Sequence, residues 1–518
     1  VIASYSYDRF MTVSTNVQHL SKPKITVIGA GIGGLTAAAL LAAEGFSVSV
    51  YEQSSVPGGC ASTFRRRGFT FDVGATQVAG LEPGGIHARI FERLRIPLPA
   101  STPCDPICAV YLPGETTPIS IWRDPDRWAQ ERRTQFPGSD SFWKAIAAIF
   151  ARNWQFQSRD PIIPPQHPQD LWALLGAVRW GTVTTLPWLF TTVGDLLRRQ
   201  GLADQLRLKQ FLDLQLKLYS QVNADQTALL YGATALGLGQ SPHGVFHLHG
   251  SMQVLSDRLV DALERDGGQL HCRHQVEQLQ TRGNRVVGLH LHDLKTGHRW
   301  EEPVEYAIAN LTVQNLSRVL GTAAPAALKR RVQNLPPASG AFVLYLGVRQ
   351  AAIPVDCPLH LQFLYDAQGP MGENNSLFVS VSQSGDGRAP EGCATIVAST
   401  FTDPQRWRDC FDYPALKRHY CQEIMARLGT HFDLASEHVI YCDAATPRTF
   451  ERFTGRADGV VGGIGQRPRY FGPFGFGNRT AFKNLWLVGD STHPGEGTAG
   501  VSYSAWTAVR QLLNSVQG

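Results

Sequence analysis

Three glycines, one carboxylate and a second glycine pair carry the first chemical signal in this chain. Gly29, Gly31 and Gly34, with Gly33 between them, form a G-x-G-x-x-G turn after the apolar run Lys24 to Ile28, and Glu52 closes the next apolar run. In such a turn Gly29 permits the tight bend, Gly31 lets a diphosphate reach the backbone, and Gly34 lets the following helix pack on the strand. The start of that helix offers free N–H groups and a partial positive charge to phosphates. A carboxylate at Glu52 can accept both ribose hydroxyls and disfavours a 2′-phosphate, so NADP is not expected. These residues alone leave FAD and NAD open. Gly58-Gly59, just beyond Glu52, is not needed for NAD; beside a flavin dinucleotide such a pair lets the chain pass the diphosphate and ribityl without side-chain obstruction. Near the other end stands LVGDSTHPGEGTAG (487–500). There Asp490 can hold the ribityl or diphosphate, Gly489 and Gly500 allow close backbone approach, and a helix from near Val501 would point its N-terminus at the N1/C2=O edge of a flavin, stabilising charge gained on reduction. Together these motifs favour FAD. The expected cofactor-binding set is Gly29, Gly31, Gly33, Gly34, Glu52, Gly58, Gly59, Val276, Gly489, Asp490, Gly500 and Val501. No catalytic residue is nominated.

The elements that must position these residues lie far apart in the chain. Strand, glycine turn, helix and strand run from Lys24 to Tyr51. A helix from Gln253 to Arg265, with Leu255, Leu259 and Leu263 as its buried stripe, leads into three short strands, and EYAIANLT (305–312) reads as another apolar strand. The expected fold is α/β: a discontinuous Rossmann-like FAD-binding domain (22–100, 241–320 and 441–518), a helical cap facing membrane and substrate (101–240), and a mixed-sheet substrate domain (321–440). GAFVLYLGV and CATIVAST supply strands of the last. Residues 1–21 read as a disordered leader, with Met11 as a candidate translation start. A second G-x-G-x-x-G after a convincing strand, as a pyridine-nucleotide site would need, is not found.

Composition narrows the classes. The 518 residues exceed one compact core, and a net charge of +5 with no basic-helix, zinc-finger or RNP pattern gives no nucleic-acid signal. Nine cysteines are scattered and odd in number, which suits reduced thiols better than a disulfide scaffold. Cys104 and Cys108 lack further ligands nearby, so no metal is expected. No secretory signal is evident, and no stretch reaches the roughly 20 apolar residues that span a bilayer. The nearest, Asp170 to Arg199, is interrupted by Arg179 and Pro187 and carries Trp172, Trp180 and Trp188 beside Arg198 and Arg199. It reads equally as a segment resting in lipid headgroups or as a buried helical hairpin. His247, His249, His290 and His292 alternate with apolar residues and read as solvent-face histidines. Leu212, Leu214, Leu216 and Leu218 alternate like a strand in a composition that favours helix, and read as core or pocket wall either way.

Taken together, the run from Gly29 to Glu52, Gly58-Gly59, GFTFDVGAT (68–76), the GSMQ helix and GDSTHPGEGTAGV (489–501) resemble the carotenoid desaturase and isomerase family, in order of elements over most of the chain. Many relatives carry Arg directly after the glycine pair; Cys60 stands there in this sequence. That departure resembles the branch of prolycopene isomerase, retinol saturase and the cyanobacterial-type carotenoid 3,4-desaturases, and GFTFDVGAT with FLDLQLKLYSQ (211–221) is most similar to the last. With that Arg missing, diphosphate neutralisation is expected from the helix dipole and from Arg65 or Arg66. The resemblance implies an FAD oxidoreductase removing two hydrogens from a CH–CH unit of a membrane-derived carotenoid, by hydride transfer to the flavin and loss of a proton. It further implies an apolar tunnel, peripheral attachment on the cytoplasmic side of a membrane, and reoxidation by quinone or dioxygen. Three rivals stand beside it: a redox-neutral cis–trans isomerase with the same nucleotide site, a non-catalytic escort of prenylated partners, which should lack a complete flavin site, and an amine oxidase with an aromatic cage at the flavin face.

Overall fold

The structure, a computed structural model, describes residues 22–517; the expected leader lies outside the described residues. Its centre is a five-stranded, wholly parallel sheet in the order Gln269–Cys272, Ser47–Glu52, Lys24–Ile28, Tyr306–Ala309 and Leu485–Leu487. Three distant segments of the chain thus build one sheet. The strands Lys24–Ile28, Tyr306–Ala309 and Leu485–Leu487 are short, mostly apolar runs because both faces are covered, whereas the edge strand Gln269–Cys272 is polar and partly exposed. On one face lies the helix Ile32–Ala43, whose Ala/Leu sequence is buried nearly all round, flanked by the helices Gln253–Arg265 and Thr498–Gln517. The stripe Leu255, Leu259 and Leu263 enters this core as its spacing predicts. The opposite face is covered by the antiparallel meander His274–Arg282, Arg285–Asp293 and Arg299–Pro303, through Val276, Leu279, Leu289 and Leu291.

A second, seven-stranded sheet follows the order Val439–Ala445, Gly340–Arg349, Cys393–Thr402, Ser376–Val381, His360–Leu364, Cys108–Tyr111 and Ile119–Ile121. It is mixed: His360–Leu364 pairs parallel with Cys108–Tyr111, whereas the other pairs are antiparallel. Two of its strands come from the region read as helical, and Val439–Ala445 runs across residues 440 and 441, where a domain boundary was expected. The helices Pro125–Gln135, Asp140–Gln157, Leu206–Ser220 and Leu229–Gly237 pack at this end of the sheet around Trp128, Trp143 and Phe211. Leu212, Leu214 and Leu216 are buried on the Leu206–Ser220 helix, and Leu218 lines the cavity described below. Helix propensity of Leu, Lys and Gln prevails over the alternation because protein covers most sides of the helix.

The Asp170 to Arg199 segment is no buried hairpin. It breaks into the helices Pro168–Ala177, Trp180–Val183 and Val193–Arg199, with a single 3-10 turn at Leu186–Trp188. Asp170 anchors its start through a buried ion pair to Arg479 (3.1 Å), and Thr192 and Asp195 cap its last helix reciprocally. Between these anchors Trp172 is 73%, Trp180 86% and Phe190 71% exposed. Trp188 instead packs inward against the helical core, its ring under Arg199. One histidine also departs from expectation. His247 is buried, its Nε2 2.9 Å from Asp386 Oδ2 and 3.0 Å from Arg388 Nη1; the loop carrying Asp386 and Arg388 covers the strand face that alternation alone assigns to solvent.

Candidate functional site

A single cavity of about 960 Å³ runs from the edge of the parallel sheet into the helical region. All the expected cofactor-binding residues line it except Gly34, which lies beneath the turn: a Cβ there would strike the carbonyl of Gly29. Gly29 holds φ +91°, in the left-handed region that favours glycine. Gly31 caps the Ile32–Ala43 helix without a side chain, leaving the first-turn N–H groups for an anion. Gly58 donates to the Ala30 carbonyl (2.8 Å), and a Cβ on Gly59 would sit 3.4 Å from the Gly31 Cα. The two glycine motifs therefore touch and leave a shelf without side chains.

Glu52 closes one end of the cavity. Its Oε2 accepts from the Ala30 N–H and its Oε1 from the Ser54 N–H, both at 2.7 Å. Burial pushes its pKa up, against these backbone donors. Val276 lies nearby, because its meander packs under the same strands. Across the shelf, Gly489 (φ +113°) brings the C-terminal segment close, and Asp490 accepts from Arg456 Nη2 at 2.7 Å. Gly500 and Val501 sit in the first turn of the Thr498–Gln517 helix, which opens three residues before Val501, where the sequence reading placed its start.

Asn310 was missed. Directly after the strand Tyr306–Ala309, its side chain is the nearest obstacle to a Cβ at Gly31 (2.7 Å), Gly33 (3.0 Å) and Gly489 (3.1 Å). A polar residue ending an apolar strand was the available signal. Arg65 and Arg66, expected at the diphosphate, are exposed on the strand Thr63–Arg66 and do not line the cavity. They stand at the exposed end of a two-stranded ribbon, next to the turn at Arg67-Gly68, where neither face is covered.

Beyond Asp490 the cavity becomes apolar, walled by Trp128, Trp143, Phe211, Leu218, Phe378 and Phe401. Its titratable groups lie where the two arms meet. Glu496 accepts from Gln221 Nε2 (2.8 Å), while its Oε1 is buried without a hydrogen-bond partner among the described residues. Burial, with Asp490 nearby, pushes its pKa up to about 8, so it holds a proton at neutral pH. Burial likewise pulls His493 down to about 4 and, outside the cavity lining, Lys217 down to about 8. This arrangement can seat a dinucleotide on the shelf and a long apolar molecule in the second arm, with a protonated carboxyl between them.

Comparison with known proteins agrees with this architecture. Residues 27–94 match the NAD(P)-binding Rossmann-like domain family. The chain is 26% identical over 493 residues to prolycopene isomerase 1 of an Oncidium hybrid cultivar, covering 92% of this chain and 81% of that protein. It is 27% identical over 546 residues to the lycopene-forming phytoene desaturase of Pantoea ananas, covering 95% of this chain and 99% of that protein. Among solved structures, an oxidoreductase from Methanosarcina mazei superposes with a TM-score of 0.62 at 17% identity, covering 95% of this chain and all of that one; at that identity the likeness is one of fold.

Proposed function

We propose that this chain, which belongs to the carotenoid desaturase and isomerase family, is an FAD-dependent desaturase that introduces a C=C bond of the 3,4-type into an acyclic or monocyclic carotenoid. The observation that carries the reading is the continuity of one cavity from a glycine-lined dinucleotide shelf into an aromatic-walled apolar arm. The shelf fits the cofactor: Gly31, Gly58 and Gly59 leave room along a diphosphate, Glu52 suits the adenosine ribose, and Asp490 suits the ribityl chain. When bound, FAD supplies a two-electron acceptor. The chain's own residues do the rest. The apolar arm binds a polyene that has few polar handles and excludes water, the start of the Thr498–Gln517 helix presents positive dipole to the shelf, and Glu496 holds a proton on its carboxyl at the junction. Quinone or dioxygen is the acceptor we propose for reoxidation.

A substrate this insoluble must come from lipid. No helix among the described residues is long and apolar enough to cross a membrane, so we propose peripheral attachment, on the cytoplasmic side, through Trp172, Trp180 and Phe190. The second reading, a redox-neutral carotenoid isomerase, is kept because of the likeness to prolycopene isomerase; the nucleotide shelf serves both. Expression in bacteria that accumulate acyclic or monocyclic carotenoids tests the reading. A pigment lighter by two hydrogens supports desaturation, an isomer of unchanged mass supports the second reading, and unaltered pigment with FAD-loaded protein present overturns both.

A further inference from the structure

The cavity presents a charge problem. A dinucleotide diphosphate carries two negative charges, and the glycine motifs that approach it supply only backbone. From Ile25 to Phe64 there is no Lys or Arg, and Arg65, Arg66 and Arg67 point to solvent. Three arginines and no lysine line the cavity: Arg89, Arg318 and Arg456. Arg89 is committed to a bidentate pair with Asp160 (3.0 and 2.5 Å), and Arg318 is exposed on the helix Val313–Leu320.

Arg456 is different. It follows the helix Pro447–Thr454, and its side chain is 17% exposed. Nε donates to the Val460 carbonyl (2.8 Å), and Nη2 donates to the Gly462 carbonyl and to Asp490 Oδ2 (2.7 Å). These bonds orient the guanidinium and leave Nη1 without a hydrogen-bond partner among the described residues. Its charge reaches the Cys60 thiol and opposes the upward push of burial there. Cys60 directly follows Gly59, which lies against Gly31 at the glycine shelf. A fixed fork with a free donor, in a cavity whose other two lining arginines are paired with Asp160 or exposed on a helix, matches how arginine meets phosphate oxygens.

We propose that Arg456 is the diphosphate-binding cation of this site, reaching from a remote segment of the chain to the position beside Cys60 that carries no charge of its own. The proposal rests on the reading of the shelf as an FAD site and adds the residue that neutralises the cofactor.

The competing role is structural: Arg456 could serve only to hold Asp490. Competition binding on the apo-protein separates the two. FAD is titrated by flavin fluorescence into wild type, Arg456→Gln, and Arg456→Gln with Cys60→Arg, and ADP and adenosine are then used as competitors; circular dichroism checks each fold. If Arg456 holds the diphosphate, ADP outcompetes adenosine in wild type. Arg456→Gln then weakens FAD and ADP by about 10- to 100-fold, the range of a charge-assisted hydrogen bond, and leaves adenosine unchanged. The added Cys60→Arg restores most of the loss. Equal weakening of ADP and adenosine, or no weakening, overturns the proposal and leaves the FAD reading intact. Wild-type protein that binds no FAD sinks both. If Arg456→Gln does not fold, Arg456→Lys decides: FAD and ADP weakened with adenosine unchanged support the proposal, and equal weakening of all three, or none, overturns it.

Discussion

Polar substitution of Trp172, Trp180 and Phe190 should release the protein from lipid while leaving flavin in place. These side chains are 73%, 86% and 71% exposed. At roughly 150–250 Å² per aromatic residue, they present on the order of 500 Å² of apolar surface. Full immersion at about 25 cal/mol per Å² would contribute roughly 12 kcal/mol. A third of that depth leaves about 4 kcal/mol, close to a thousandfold in partitioning. Arg179 and Arg199 are exposed on the same segment and add attraction to anionic headgroups, on the order of 1 kcal/mol each, whereas Arg198 is paired with Asp195 and Asp225. The triple variant Trp172→Ser, Trp180→Ser, Phe190→Ser removes the apolar part and touches no residue lining the cavity. Flotation with neutral and anionic vesicles, alongside the flavin absorbance of the same fractions, reads both properties. Wild type should rise with the vesicles, and the variant should stay at the bottom still yellow. A variant that floats as wild type does would place the lipid-facing surface elsewhere. Trp188 and Leu189 are unsuitable targets, because they pack against the core and their loss would confuse unfolding with release.

Other expectations concern the cavity. Gly31→Val should abolish flavin retention, since its Cβ would press on Asn310 and fill the diphosphate approach; yellow, folded Gly31→Val protein would refute the shelf assignment. Glu52→Ala should weaken FAD binding by about 1.5–3 kcal/mol, the value of a hydrogen bond to a charged group, and unchanged affinity would reduce Glu52 to a strand-end carboxylate. Glu496 has a folded pKa near 8 against an ordinary 4.5. The stability linked to its proton is complete below about pH 4.5 and is lost as pH rises to about 8, by at most about 1.4 kcal/mol per unit. Relative to wild type, apo Glu496→Gln should therefore gain stability across that window; parallel pH–denaturation profiles would contradict the burial argument.

The dinucleotide half was legible because its signals are local. A glycine turn between strand and helix, and an acid at a strand end, specify their neighbours within a few dozen residues, and Gly489-Asp490 repeats that grammar at the far end. Arg456 was illegible for the opposite reason. Nothing in ERFTGRADG points to a cofactor; only tertiary packing brings it beside Cys60 and Asp490. His247 shows the limit of alternation, which says that two faces exist and not what covers them; the loop of Asp386 and Arg388 arrives from well over a hundred residues away. The Asp170 to Arg199 stretch had a composition compatible with lipid or with core. Its breaks at Arg179 and Pro187 leave helices too short to bury all their aromatics, which excludes the buried hairpin and leaves contact with lipid as our proposal.

The most direct test of the central claim is an anaerobic single turnover. Purified FAD-loaded protein is mixed with carotenoid in vesicles, with no electron acceptor, and flavin absorbance is followed while the pigment is analysed by mass. The account predicts loss of the oxidised-flavin band in step with a product lighter by two hydrogens, one product per flavin. Carotenoid converted at unchanged mass with no net loss of that band would contradict desaturation and leave isomerisation in its place.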